Sequence, residues 1–194
     1  MRPADAFGPV HDIVTLLSDF RRPWFIAGGW AIDLFLRRVT RDHDDVDVAI
    51  FRRDQRDIRA YLKGWSFDKV VEGRREPWRE GEWLNLPVHE VHGRRAEGAS
   101  REIELLLDEA ADEEWVFRRD ARITRPLSKA GLRTHDGVPY LAPEIVLLFK
   151  AKNPKDKDLG DFERTRPRLG FRRVLWLRSA LETCHPGHPW IARL

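Results

Sequence analysis

Apolar residues at Val10, Ile13, Val14, Leu16, Leu17 and Phe20 recur at helical spacing and predict a helix over 10–20. Pro23 ends it, and 24–27 (Trp-Phe-Ile-Ala) reads as a short buried strand. Gly28-Gly29 breaks that strand. Residues 30–36 return to helical spacing, with Ala31, Leu34 and Phe35 on one side. Alternation then predicts a strand at 46–51, a helix at 54–62 and a strand at 66–71. Residues 72–81 are charged and punctuated by Gly73, Pro77 and Gly81, which reads as a loop. Residues 83–91 alternate loosely and suggest one or two strands, and 94–100 has the composition of a turn. Residues 101–107 alternate and then become an apolar run, the pattern of a central strand. Residues 115–117 and 121–124 read as short strands or edges. Beyond residue 137 the composition shifts. Pro143 suits a first helical position, and helices are expected at 144–152, 156–166 and 171–183. The layout is α+β: a mixed sheet flanked by helices, then a small helical C-terminal region, with the sheet-bearing domain expected at 1–136 and the helical region at 137–194.

A chain of 194 residues is long enough for one well-buried domain. Its single cysteine, Cys184, excludes a disulfide framework within the chain and carries no nearby charges that would mark a nucleophile. No apolar run reaches the roughly 18 residues that a membrane helix needs. The first ten residues lack the layout of a signal peptide. The expectation is a soluble, cytoplasmic protein with no membrane partner. A net charge of +3 from 35 basic and 32 acidic residues gives no argument for nucleic acid.

The chemistry concentrates in residues 25–50, FIAGGWAIDLFLRRVTRDHDDVDVAI. Asp45 and Asp47 alternate within a strand pattern and so share a face. Like charges about 4 Å apart repel by roughly 4 kcal/mol at an effective dielectric near 20, so the pair suggests a bound cation. Mg²⁺, which takes one or two carboxylates and keeps positions for phosphate oxygens, is the natural candidate. A strand with two solvent-facing acids would show the same alternation. Gly28 and Gly29, between a strand and a helix start, would let backbone N–H groups approach phosphates, or would simply make a tight turn. Glu104, between apolar neighbours in the expected central strand, offers a third carboxylate if that strand lies beside 46–51. It would then bind metal or accept a proton, whereas a salt bridge to an arginine is the plain alternative, and Glu102 is a rival on the same face. Lys150 and Lys157 could reach triphosphate oxygens as point charges, or could be part of a solvated face. His89 with His92, and His185 with His188, make no zinc pattern.

Together these residues resemble the nucleotidyltransferase superfamily, and within it the aminoglycoside 2''-adenylyltransferase and lincosamide nucleotidyltransferase group. The resemblance rests on GGWAID, then RVTRDHDDVDVAI with its Arg41-x-His43-x-Asp45-x-Asp47 form, and on LAPEIVLLFKAKNPKDKDLGDF further on. It is tight over about residues 24–51 and loose to about 125. It implies a Mg²⁺-dependent enzyme moving a nucleoside monophosphate, AMP from ATP foremost, to a hydroxyl of a small molecule such as an antibiotic. Asp45, Asp47 and Glu104 would be catalytic and metal-binding, although the family's third acid is usually Asp. Gly28, Gly29, Arg41, His43, Lys150 and Lys157 would bind the nucleotide. Glu82, Glu90 and Trp83, with Trp78, are candidates to line the acceptor site, since a cationic acceptor wants acids and flat apolar faces. Two other readings are a nucleotidyltransferase acting on a protein or tRNA, and a non-catalytic nucleotide-binding family member; intact acids at all three positions argue against the second. Sequence does not name the acceptor, the nucleotide or the oligomeric state.

Overall fold

A computed structural model describes residues 5–97 and 102–194. The chain begins with helix α1 (Gly8–Leu16), strand β1 (Trp24–Ile26), helix α2 (Gly28–Leu36) and strand β2 (Asp47–Phe51). Helix α3 (Gln55–Tyr61) is followed by strands β3 (Ser66–Val71), β4 (Arg74–Pro77), β5 (Glu90–Arg94), β6 (Glu102–Ala111), β7 (Glu114–Val116), β8 (Thr124–Pro126), β9 (Gly131–Arg133) and β10 (Pro139–Leu141). Helices α4 (Pro143–Lys150), α5 (Asp156–Thr165) and α6 (Phe171–Cys184) complete it. The turn expected at 94–100 lies in part outside the described residues, and Arg94 itself ends β5.

The fold is α+β. The strands form one mixed sheet in the order β4-β3-β5-β6-β2-β1-β10-β9, with β7 paired to β6 and β8 to β7. β2 runs parallel to β6 and β1 parallel to β10, while the other pairings are antiparallel. Parallel neighbours need a crossover, which here is supplied by the long stretches between 51 and 102 and between 26 and 139. β10 therefore joins the main sheet although it opens the C-terminal region.

Helices α2, α4, α5 and α6 pack on one another beside the sheet. α4 is the hub. Ile145, Val146, Leu147 and Leu148 are all buried, so its pattern is a continuous apolar run rather than a stripe. Among the described residues no helix is long and apolar enough to cross a membrane.

Three expectations are corrected. The loop expected at 72–81 contains β4, which forms a hairpin with β3 in the register Lys69↔Glu76 and Val70↔Arg75. All four β4 residues are exposed, so the strand is held by backbone ladder bonds and shows no apolar alternation to read. The strands expected within 83–91 reduce to the start of β5 at Glu90, because side chains capture the preceding backbone. Gln55 Oε1 accepts from Leu84 N at 2.7 Å, and Arg52 Nη1 donates to the Leu84 and Val88 carbonyls at 3.0 and 2.6 Å. Likewise 121–123 is a turn that leads into β8, and β9 carries no signal in sequence beyond one apolar residue, Leu132.

Candidate functional site

Helix α2 starts directly at the end of β1, and no side chain caps it. The first intrahelical bond runs from Ala31 N to Ala27 O, 3.1 Å, so the N–H groups of Gly28, Gly29 and Trp30 have no partner within the helix. The need for two glycines is steric. Gly28 has φ +56°, and a Cβ there would lie 1.8 Å from Asp47 Oδ2. A Cβ on Gly29 would lie 2.2 Å from Arg41 Nη2 and 2.5 Å from the His43 ring. The glycine pair thus packs Asp47, Arg41 and His43 against the helix start.

Asp47 is the first residue of β2 and faces Glu104 of β6 across the parallel pairing. Asp45 lies in the bend before the strand rather than in it, and its backbone carbonyl accepts from Trp30 Nε1 at 2.9 Å. The three acids nevertheless converge: one carboxylate oxygen from each of Asp45, Asp47 and Glu104 lies within 4.8 Å of the others. Burial, and then the charge of Asp45, push the Asp47 carboxyl above the usual range. Glu104 is pushed up further by burial, then by Asp47, Glu90 and Asp45. Lys150 opposes the shift at Asp47. Protein cations leave this cluster under-compensated, and a hard divalent cation fits an all-oxygen donor set of this kind.

A second grouping shares Glu104. Glu90 and His92 of β5 also come within 4.8 Å of it. His92 Nδ1 accepts from Arg75 Nη2 at 3.1 Å, and its Nε2 donates to Glu90 Oε1 at 2.8 Å. His92 carried no role in the sequence reading. Its register opposite Glu104 is what brings it here, and β5 had no clear boundaries in sequence.

The loop from α2 to β2 is fixed by Asp33, which is fully buried. Its carboxylate accepts from Thr40 N at 3.1 Å, Thr40 Oγ1 at 2.6 Å and His43 Nε2 at 2.7 Å. The His43 ring rests on Trp30, 4.4 Å between centroids. His43 therefore holds the loop that carries Asp45, with Nε2 turned away from the acids.

The cations form a cluster that the sequence did not reveal. Asp161 of α5, 1% exposed, receives Arg41 Nη2 at 3.4 Å, Lys150 Nζ at 3.1 Å and Arg164 Nη2 at 2.9 Å. Lys150 also donates to Asp158 at 2.6 Å. Asp158 and Asp161 thus hold Arg41 and Lys150 beside the uncapped end of α2. Lys157 is exposed in the first turn of α5, beside Asp158.

On the other side of Glu104 lies a cleft of about 360 Å³, bounded by α1, the 43–46 loop and the ends of β5 and β6. Asp12, Asp44, Asp45, Glu102 and Glu104 give it an acidic lining against Arg75 and Arg94. Arg94 is itself held by Asp68 at 2.7 Å. Of the acceptor candidates, Glu90 reaches the acid cluster. Glu82 is paired with Lys69 and lines a different depression with Glu76 and Arg79. Trp83 is 39% exposed beneath the Arg56 guanidinium, and Trp78 is buried in the core.

A family model described as aminoglycoside-2''-adenylyltransferase matches residues 9–162. The 2''-aminoglycoside nucleotidyltransferases of Klebsiella pneumoniae and Escherichia coli are 49% identical over 39 residues, 20% of this chain. That match spans only 22% of those relatives' length. Among solved structures, ANT(2'')-Ia in complex with adenylyl-2''-tobramycin aligns with a TM-score of 0.62 at 19% identity, over 90% of this chain and 95% of that one. Lincomycin-bound LnuA, a lincosamide antibiotic adenylyltransferase, aligns with a TM-score of 0.56 at 15% identity, over 81% and 94%. At these identities the structures share a fold. With four-fifths of its length matched by the family model, the chain belongs to the aminoglycoside-2''-adenylyltransferase family.

Proposed function

We propose that this chain transfers a nucleoside monophosphate, AMP from ATP foremost, to a hydroxyl of a cationic small molecule, with an aminoglycoside as the first acceptor to test. The convergence of Asp45, Asp47 and Glu104 beside the uncapped, cation-flanked start of α2 carries the reading. In this reading residues 1–136 supply the acids, and 137–194 supply Lys150 and its anchors. The ANT(2'')-Ia and LnuA structures, named for antibiotic complexes, lend support.

Asp45, Asp47 and Glu104 would hold Mg²⁺, which would supply charge neutralisation for the triphosphate. The amides of Gly28 and Gly29 donate to phosphate oxygens, helped by the positive end of the helix. Arg41 and Lys150 flank the same oxygens, and Lys157 stands at the outer edge. The acceptor lies in the acidic cleft, where Asp12, Asp44 and Glu102 attract ammonium groups and Glu90 sits behind Glu104. The acceptor oxygen bonds to the α-phosphorus as the bond to pyrophosphate breaks, and its proton passes to a Glu104 carboxylate oxygen. The acidity of the cleft favours a polycationic acceptor over a neutral one. Modification of an antibiotic in this way would confer resistance.

The experiment is Mg²⁺-dependent pyrophosphate release with each of the common nucleoside triphosphates across aminoglycosides, lincosamides and tRNA. Release that depends on an aminoglycoside and is lost in Asp47→Ala is the expected result. Release with lincosamides or tRNA only would overturn the acceptor assignment. No release with any acceptor would overturn the enzymatic one.

A further inference from the structure

The cleft assigned above to the acceptor is not acidic throughout, because Arg75 and Arg94 share its lining with the acids. The two arginines differ in their partners. Arg94 Nη2 donates to Asp68 at 2.7 Å, and Arg94 stands opposite Glu102 in the β5–β6 register, so its charge is matched within the protein. Arg75 has no carboxylate partner among the described residues; its one hydrogen bond there runs from Nη2 to a ring nitrogen, His92 Nδ1, at 3.1 Å. It is exposed on β4, the edge strand, which β3, β5 and β6 separate from β2. Asp68, His92, Glu104 and Asp47 are register partners in a row across those strands. The Arg75 side chain reaches this row from the edge, and His92 Nδ1 lies 3.9 Å from Glu104 Oε2. Asp44 and Asp45 stand just before β2, at the other end of the row. The cleft is therefore divided, with acids toward β2 and an uncompensated guanidinium toward β4.

We propose that Arg75 is a specificity-determining residue of the acceptor site: it keeps ammonium groups away from the β4 end of the cleft and donates there to a hydroxyl or anionic oxygen of the acceptor. The inference rests on the nucleotidyl-transfer reading and deepens it by naming the acceptor class. That class is a molecule with its ammonium groups gathered at one end and its oxygen groups at the other, rather than one cationic throughout. Like charges brought together at a binding surface suppress the wrong partner, and matched charges fix the register of the right one. A guanidinium carries five N–H donors and no acceptor, so the single bond to His92 leaves donors for a ligand. His92 Nε2 donates to Glu90 Oε1 at 2.8 Å, which leaves Nδ1 as the acceptor and holds the guanidinium over the cleft. An acceptor so oriented presents to Glu104 a hydroxyl that lies between its two ends.

The test is calorimetric binding to the full chain, at low salt, of two acceptors with different charge distributions. Tobramycin has amines on every ring; lincomycin has one basic amine and a hydroxyl-bearing sugar. ATP with Mg²⁺ is measured alongside. Arg75→Gln keeps an N–H for His92 and removes the charge, and Arg75→Glu reverses it. Both replace an exposed side chain on an edge strand, and an unchanged melting temperature verifies the fold. Tobramycin is expected to bind about 3-fold tighter to Arg75→Gln and about 10-fold tighter to Arg75→Glu, with the gain shrinking as salt is raised. Lincomycin is expected to bind no tighter to either variant, and ATP to stay within about twofold. Folded variants that bind tobramycin no tighter than the wild type would overturn the assignment. So would an equal gain for both acceptors, since the guanidinium would then act only through the overall charge of the protein. Proteins that bind ATP and neither acceptor would overturn it together with the acceptor cleft. The tobramycin gain without pyrophosphate release would count against the transfer reading alone.

Discussion

Gly28 and Asp47 are built around each other: residue 28 has φ +56°, and the space that a side chain would fill there holds Asp47 Oδ2, 1.8 Å from an ideal Cβ. Gly28→Ala therefore meets two costs. The left-handed backbone costs a residue with a Cβ about 1–2 kcal/mol, and the clash is relieved only by moving Asp47. The variant should melt several degrees lower and lose transfer by about 100-fold or more, since small misplacements at a reacting centre have effects of that size. Gly64→Ala is the control. Gly64 has φ +78° with open space around it, so it should show the backbone cost and keep transfer. An active Gly28→Ala would break the link between the turn and the acid.

Asp47→Asn should make the metal-free protein more stable while disabling it. Burial and the neighbouring Asp45 charge both disfavour the Asp47 carboxylate, and an amide removes that repulsion. At neutral pH, in chelator, the variant's melting temperature should rise by about 2–4 °C, the shift for about 1 kcal/mol in a chain of this size. Mg²⁺ should raise the wild-type value and leave the variant nearly unchanged. Scanning calorimetry with and without the ion decides it; a wild type indifferent to Mg²⁺ would remove the cation from this site.

How much of this was legible follows from sequence distance. The Gly28-Gly29 turn, Asp45 and Asp47 lie within one short segment whose local pattern carries its own geometry. Glu104 could be placed only by supposing its strand beside β2, which the pairing Asp47↔Glu104 bears out. The part of Asp161 that ties α5 to the acid-bearing loop could not be found, because that partner, Arg41, lies 120 residues away. β4 was hidden because an exposed edge strand shows no alternation. Glu82 and Trp83 were candidates from residue type alone, and their contacts with Lys69 and Arg56 are long-range or local pairings that type does not reveal.

Asp161→Asn should act on nucleotide binding before it acts on turnover. The carboxylate holds Arg41, Lys150 and Arg164; Lys150 has a second ionic anchor in Asp158, and Arg41 Nη1 also donates to the neighbouring Asp42 carbonyl. With the charge gone, Arg41 and Lys150 would sample more positions, and the KM for nucleotide should rise about 3- to 10-fold with a smaller change in kcat. Breaking a largely buried ionic group should also lower stability by roughly 1–3 kcal/mol. Steady-state kinetics with the nucleotide varied would show it. An equal fall in kcat and kcat/KM would instead place Asp161 in stabilising the transition state.

Asp33 should set part of the acid limit of the fold. Burial alone would raise its carboxyl, but the bonds from His43 and Thr40 outweigh burial and hold it below the usual 3.8. A carboxylate depressed in the folded state stabilises above the unfolded value, and the contribution disappears as pH falls through the folded value. Asp33→Asn removes this dependence. Its amide offers one acceptor oxygen where both carboxylate oxygens are used, so its NH2 group is left facing donors. At neutral pH the variant should be less stable by about 1–3 kcal/mol. Below about pH 4 the wild type should lose stability faster, so the two curves converge. Because the same bonds fix the loop that carries Asp45, the variant's affinity for Mg²⁺ should fall as well. Denaturant unfolding of both proteins across the acid range measures the gap. A gap that stays constant with pH would mean that the Asp33 charge contributes nothing and that its packing alone matters.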